Sequence, residues 1–204
     1  MKDFLTIKDK IFRHEFVVEK SRFISFACQV STVGQANFFI ESISKQHYDA
    51  THNCYAYLID EGQKFSDDGE PQGTAGLPIL NAIKGKNLHN VAVVVTRYFG
   101  GIKLGAGGLV RAYGKAASNV LEEAEKVQFL QCTEFKVRCD YTYVSSVEAT
   151  AFSFGKILDR EYYTDVIYQI VVPVDKADDF AKKISDVTQG RVTAQKVATQ
   201  IVQF

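Results

Sequence analysis

The 204-residue chain has no tryptophan, one methionine and three prolines. Its four cysteines (Cys28, Cys54, Cys132, Cys139) show no C-x-x-C spacing, and a chain of this length builds a core without a disulfide framework. They read as reduced thiols of a cytoplasmic protein. No apolar run approaches the roughly 18 residues of a membrane span, and Val91 to Val95 suits a buried strand at most. The opening MKDFLTIKDK is charged and lacks an apolar h-region, so no secretory signal is expected. Net charge is absent as well, because 24 Lys and Arg balance 24 Asp and Glu. That balance excludes bulk attraction to a polyanion, so nucleic-acid binding has to come from local sorting of charge. Nucleotide signatures are missing too. Five residues separate Gly108 from Gly114, and Ala116 follows Lys115, so there is no P-loop. Val110 stands where the dinucleotide fingerprint needs its third glycine. There is no G-x-S-x-G elbow, and the acids of Asp67 to Glu70 lack the spacing of an EF-hand.

What the chain does have is concentrated in one stretch. Phe65 to Lys115 holds ten of the fourteen glycines and two of the three prolines. Glycine costs roughly 0.5–1 kcal/mol inside regular structure, so such crowding needs a backbone reason. Charge is sorted along the same stretch. Asp60, Glu61, Asp67, Asp68 and Glu70 come first; then Pro71 to Leu121 carries Lys84, Lys86, Arg97, Lys103, Arg111 and Lys115 with no acid.

Hydrophobic period places the elements around it. Phe12 to Val30 predicts one or two strands about Lys20-Ser21, and Asn53 to Ile59 another strand. Ala36, Phe39, Ile40 and Ile43 mark one face of a helix over Val33–Gln46. Asp60 to Gly73 reads as a loop. Leu77, Leu80 and Ile83 predict a short helix with Pro78 in its first turn. Val91 to Thr96 reads as a central strand covered on both faces. Leu109, Ala112, Tyr113, Ala116, Ala117, Val120, Leu121 and Ala124 form an apolar stripe, with Arg111, Lys115, Ser118 and Glu122 opposite. After Glu125 the glycines nearly vanish. Leu130–Tyr141 alternates, Val144 to Phe154 is helical with Gly155 at its end, and Ile157–Tyr163 and Val166–Val172 are strands. A helix from Phe180 to Val187 follows, opened by an Asp175/Asp178 capping box and ended by Gly190, and Arg191–Val202 is a last strand. The order β-α-β-β-α-β is that of a ferredoxin-like unit. A boundary therefore falls near Val127–Leu130, giving domains 1–128 and 129–204.

Several residues carry possible chemistry. Gly105-Ala106-Gly107-Gly108 opens the strong helix, where free N–H groups and the macrodipole suit an anion. Arg111 and Lys115 in the first half of that helix oppose its dipole, a conflict that points to a partner. The alternative is a tight loop beside a solvated basic face. Arg97 and Lys103 extend the patch, and Tyr98 and Phe99 add aromatics beside cations, which suits single-stranded nucleic acid and equally a protein-interface hot spot. Tyr113 lies on the apolar stripe, so core packing is its expected job. Asp67, Asp68 and Glu70 read as a turn cap, as partners of the basic segment, or as a base or metal ligand. His52 and Cys54 share a strand face, but no second ligand pair accompanies them, so a half-buried thiol and a hydrogen-bonded histidine are expected.

The segments Lys20–Phe23, His52–Tyr57, Phe65–Pro71, Gly73–Gly76, Val95–Gly101 and Leu104–Tyr113 together resemble the IMPACT/YigZ family. They cover most of residues 15–125, and residues 130–204 resemble the second domain of its bacterial members. The resemblance implies an α+β protein of two domains. The first has the fold shared by the second domain of a small-subunit ribosomal protein and by elongation factor G domain IV. The second is a ferredoxin-like βαββαβ unit similar to the C-terminal domains of elongation factor G. Eukaryotic members are translation regulators that compete for the activator of a starvation-responsive kinase. Their extra N-terminal domain is not expected here, so that partner is not carried over. No catalytic residue comes with the resemblance. The expectation is a non-enzymatic translation-related regulator that binds RNA, the ribosome or a translation-associated protein partner. Its ligand surface would use Arg97, Tyr98, Lys103, Gly105, Gly107, Gly108, Arg111 and Lys115, with Asp67, Asp68, Glu70 and His52 as a secondary site. No metal, cofactor or membrane is expected. The alternatives are an enzyme on a phosphorylated or carboxylated small molecule using the acidic loop, and a protein-interaction module built on Tyr98-Phe99.

Overall fold

A computed structural model describes residues 3–204. The chain divides into two compact units, 4–127 and 128–204, the latter with Asp3. In the first unit five strands form an antiparallel sheet in the order β2-β3-β6-β4-β5: β2 (Phe12–Val18), β3 (Ser21–Gln29), β4 (His52–Ile59), β5 (Gly62–Ser66) and β6 (Val91–Tyr98). β2 and β3 form a hairpin whose two turn residues, Glu19 and Lys20, both have positive φ (47° and 61°). That conformation matches the twist of the flanking strands, although neither residue is the glycine or asparagine usual there. A short β1 (Phe4–Ile7) bridges Leu88 through Leu5.

Side chains alternate across the sheet, and helices cover both faces. Ile24, Phe26, Tyr57, Ile59, Ala92 and Val94 meet α1 (Val33–Gln46), which buries Ala36, Phe39, Ile40 and Ile43 as its period predicts. Thr32 caps α1 by accepting the Gln35 N–H. On the other face Phe23, Ala27, Cys54, Ala56, Val91, Val93 and Val95 pack under α2 (Gly76–Gly85) and α3 (Gly105–Glu123). All of Val91 to Arg97 is buried in β6, and full burial stabilises by about 1.5–3 kcal/mol per large apolar side chain. α3 buries the whole expected stripe from Leu109 to Leu121.

Two expectations for this unit need correction. Asp60–Gly73 is not all loop, because Gly62–Ser66 pairs with β4 as an edge strand. Four of its five residues are exposed, so no alternation marked it. Leu77 faces solvent (40% exposed), and Pro78, Ile79, Leu80 and Ile83 form the buried side of α2.

The second unit has the order βαββαβ: β7 (Lys126–Cys139), α4 (Val144–Phe154), β8 (Lys156–Tyr162), β9 (Val166–Pro173), α5 (Ala177–Val187) and β10 (Ala194–Gln203). These strands lie β10-β7-β9-β8, all neighbours antiparallel, which is the ferredoxin-like arrangement. Phe135, Val147, Tyr168, Ile170, Phe180 and Ile184 centre its core. No Asp175/Asp178 capping box forms. Asp175 sits in a 3₁₀ turn, and α5 begins without a side-chain cap. Gly155 does end α4, but with extended rather than left-handed backbone (φ −167°). Glycine is needed there because a Cβ would stand 1.9 Å from the Val171 carbonyl oxygen on β9.

Candidate functional site

The acidic loop is held by its own backbone. Asp67 accepts the N–H groups of Gly73 (2.8 Å), Ala75 (3.0 Å) and Gly76 (2.8 Å). It thereby caps α2, whose N-cap residue Ala75 has no side chain for the task. Burial raises the Asp67 carboxyl, but the three N–H bonds outweigh it and hold it below its ordinary value. Asp68 accepts the Asn53 N–H at 2.6 Å. Both acids are therefore spent on shaping the loop, and among the described residues no group of three His, Cys, Asp or Glu has the arrangement of a metal site.

Glu70 lies deeper, its side chain 3% exposed. Its Oε1 receives Arg97 Nη1 at 2.6 Å and the Tyr113 hydroxyl at 2.7 Å. Arg97 also donates from Nη2 to Ser21 Oγ at 3.3 Å, and its Nε has no partner among the described residues. Tyr113 stacks edge-on against Phe23 at 5.3 Å, and burial drives its hydroxyl well above the ordinary tyrosine range. The neighbouring Cys54 is fully buried rather than half-buried, and burial pushes its thiol up to about 12. A thiol held that high is no nucleophile at neutral pH. His52 sets Nδ1 2.7 Å from the Asp68 carbonyl, with Nε2 3.9 Å from Glu70 Oε2. These residues meet because His52, Cys54 and Arg97 alternate onto the α3 face of β4 and β6, whose register pairs His52 with Arg97.

The expected binding residues separate into three groups. Lys103, Gly108, Arg111 and Lys115 line one groove of about 470 Å³, walled opposite by Phe16, Val17 and Glu19. All three cations are exposed, and none enters an ion pair among the described residues. The Lys115 amine stands over the Phe16 ring, 5.4 Å from its centroid. Arg97 is a second case. It lines an adjoining pocket of about 430 Å³ with His52, Glu70, Lys103 and Gly105, and its charge is already matched by Glu70. Pro71, Phe99, Leu104 and Leu109 give that pocket apolar walls. Tyr98 is the third case. Successive strand residues point oppositely, so Tyr98 packs on the α1 face and donates to Asp49 at 3.0 Å. It does not share a surface with Arg97. Gly105 and Gly107 fall within the first turn of α3 rather than in a loop before it, and both are exposed. Sequence reasoning missed Phe16, Val17 and Glu19, since nothing local ties the β2–β3 hairpin to α3.

Two units in tandem, each a helix-covered antiparallel sheet, define a two-domain α+β protein. The Impact N-terminal domain family matches residues 19–121, and a domain of unknown function (DUF1949) matches 137–191. The chain belongs to the IMPACT family. It is 43% identical to IMPACT family member YvyE of Bacillus subtilis, over 87% of this chain and 84% of that one. Identity to IMPACT family member YigZ of Escherichia coli is 37%, over 85% and 88%. Rat Protein IMPACT is 34% identical over 55% of this chain but only 31% of its own length. A crystal structure of a hypothetical protein superposes with a TM-score of 0.62 at 32% identity, covering 97% of this chain and 98% of that one. No helix among the described residues is long and apolar enough to cross a membrane.

Proposed function

We propose that this protein is a non-enzymatic, translation-related regulator that binds single-stranded RNA or ribosomal RNA through the Lys103–Arg111–Lys115 groove. The observation that carries this reading is that three exposed cations line one groove, none of them ion-paired among the described residues, in a chain of zero net charge. Of the other cations in the acid-free segment, Lys86 is paired with Glu122 at 2.8 Å and Arg97 with Glu70, while Lys84 is exposed on α2 and does not line the groove. Phe16 and Val17 in the groove, with Phe99 nearly half exposed close by, supply apolar surface on which bases stack. Family membership supports the translation-related part of the reading.

Three phosphate contacts give single-strand binding a log K against log salt slope of about −2, at roughly −0.7 per contact. Affinity then falls roughly twentyfold between 50 and 200 mM salt. Fluorescence anisotropy with a labelled RNA measures this directly. Arg111→Glu combined with Lys115→Glu should flatten the slope and remove most binding. Salt-independent binding, or a double variant that binds like wild type, would refute the groove.

A further inference from the structure

Beside the groove, the pocket over Glu70 holds a pair of polar atoms that do not satisfy each other. The Asp68 carbonyl only accepts, so the bond at 2.7 Å requires that His52 Nδ1 carry the proton. In the neutral ring Nε2 is then an acceptor, and it stands 3.9 Å from Glu70 Oε2. That oxygen accepts no hydrogen bond among the described residues, since Arg97 and Tyr113 both use Oε1. At 3.9 Å even a second proton on the ring falls short of hydrogen-bond reach. A third group that donates twice, hydrogen-bonded to both atoms, fits the gap. The surrounding walls are apolar, and the volume of about 430 Å³ lies within the roughly 300–1,000 Å³ of small-ligand pockets. Phe99 offers an aromatic wall, 46% exposed. Lys103 lines both the pocket and the basic groove.

We infer that this pocket receives one unstacked nucleobase carrying an exocyclic amine, the two amine hydrogens bridging His52 Nε2 and Glu70 Oε2. The inference rests on the reading of the groove as a phosphate-binding surface: a strand whose phosphates pass Lys103 leaves a base beside the opening. The amine donates to both acceptors, and the base stacks against Phe99. A keto oxygen in the same place turns a third acceptor on the pair, so uracil and hypoxanthine are disfavoured.

The test uses mononucleotides, which need the pocket but not the groove. Binding of cytidine, uridine, adenosine and inosine 5′-monophosphates is measured by ligand-detected NMR and calorimetry, alongside anisotropy with short cytidine and uridine oligonucleotides. Within at least one isosteric pair, cytidine against uridine or adenosine against inosine, the amine-bearing member should bind roughly tenfold or more tightly, because the keto analogue leaves a buried acceptor unpaired. Ala106→Trp fills the pocket from an exposed position in the first turn of α3 and should abolish the discrimination, while Lys45→Glu, exposed on α1 across the sheet, should leave it intact. A melting curve of Ala106→Trp matching wild type excludes loss of the fold as the cause. No mononucleotide binding, equal affinities within both pairs, or discrimination that survives Ala106→Trp would overturn the inference. Oligonucleotides that fail to bind while mononucleotide discrimination persists would overturn the groove reading alone.

Discussion

Removing the Arg97 guanidinium separates a structural role from a binding role. Arg97 and Glu70 are both nearly fully buried, with side chains 6% and 3% exposed. In Arg97→Ala the Glu70 carboxylate keeps the Tyr113 hydroxyl but loses the guanidinium 2.6 Å away. Ser21 Oγ loses one of its two donors and keeps the Gly100 N–H. Breaking a buried pair on one side costs about 3–5 kcal/mol, because an uncompensated charge remains inside. With a urea m-value of about 1.5 kcal/mol/M, the midpoint falls by roughly 2–3 M, a large part of a typical stability of about 5–15 kcal/mol. The chain has no tryptophan, so far-UV circular dichroism and tyrosine fluorescence report the transition. Arg97→Lys should fall between, since one ammonium replaces a planar fork that reaches Glu70 and Ser21 together. Arg97→Met combined with Glu70→Leu and Tyr113→Phe should regain most of the loss, because apolar residues of similar volume often replace a buried pair without penalty and Tyr113→Phe removes the hydroxyl that would otherwise lose its acceptor. A stability change under about 1 kcal/mol in Arg97→Ala, with an RNA salt slope shallower by about 0.7, would refute this account. Arg97 would then be a phosphate contact, as its position in the sequence suggested.

Three further outcomes are expected. Gly155→Ala should destabilise the second unit by several kcal/mol, because its Cβ would meet backbone on β9 at 1.9 Å. Gly85→Ala, in the last turn of α2 with nothing within 4 Å, should stabilise by about 0.5–1 kcal/mol; paired thermal melts check both. Asp67 has a folded-state carboxyl below its ordinary 3.8, so its stabilising contribution is present above that value and disappears as pH falls through the lower folded value. Asp67→Asn should thus be less stable than wild type at neutral pH and lose less on acidification below about 4, seen as a shallower fall of the urea midpoint. Equal acid sensitivity of the two proteins would contradict the capping role.

The sequence carried the elements whose burial follows a period. α1 and α3 have apolar faces set by 3.6-residue spacing, and β6 is a continuous apolar run, so their buried residues were legible along the chain, as were the bounds of α1, while β6 runs on to Tyr98, two residues past the expected Thr96. The βαββαβ order of the second unit was legible for the same reason. β5 was not, because an exposed edge strand has no face to bury and its pairing with β4 is a non-local matter. The absent α5 capping box and the extended backbone of Gly155 were illegible too, since a cap or a close approach is fixed by neighbours distant in sequence.

At the site the division is sharper. Composition and order alone established a glycine-rich, acid-free basic segment after an acidic loop. They did not establish which of its charges face solvent. Strand alternation sends Arg97 and Tyr98 to opposite faces, and the register of β4 on β6 sets His52 opposite Arg97. The packing of α3 brings Tyr113 onto Glu70, 43 residues away in sequence. Helix period leaves Arg111 and Lys115 in solvent, where the β2–β3 hairpin completes a groove that no local pattern announces. Charge and period are properties of neighbouring residues and can be read along the chain. Whether a charge is paired or free depends on contacts between residues far apart in sequence, and only the tertiary structure sets those.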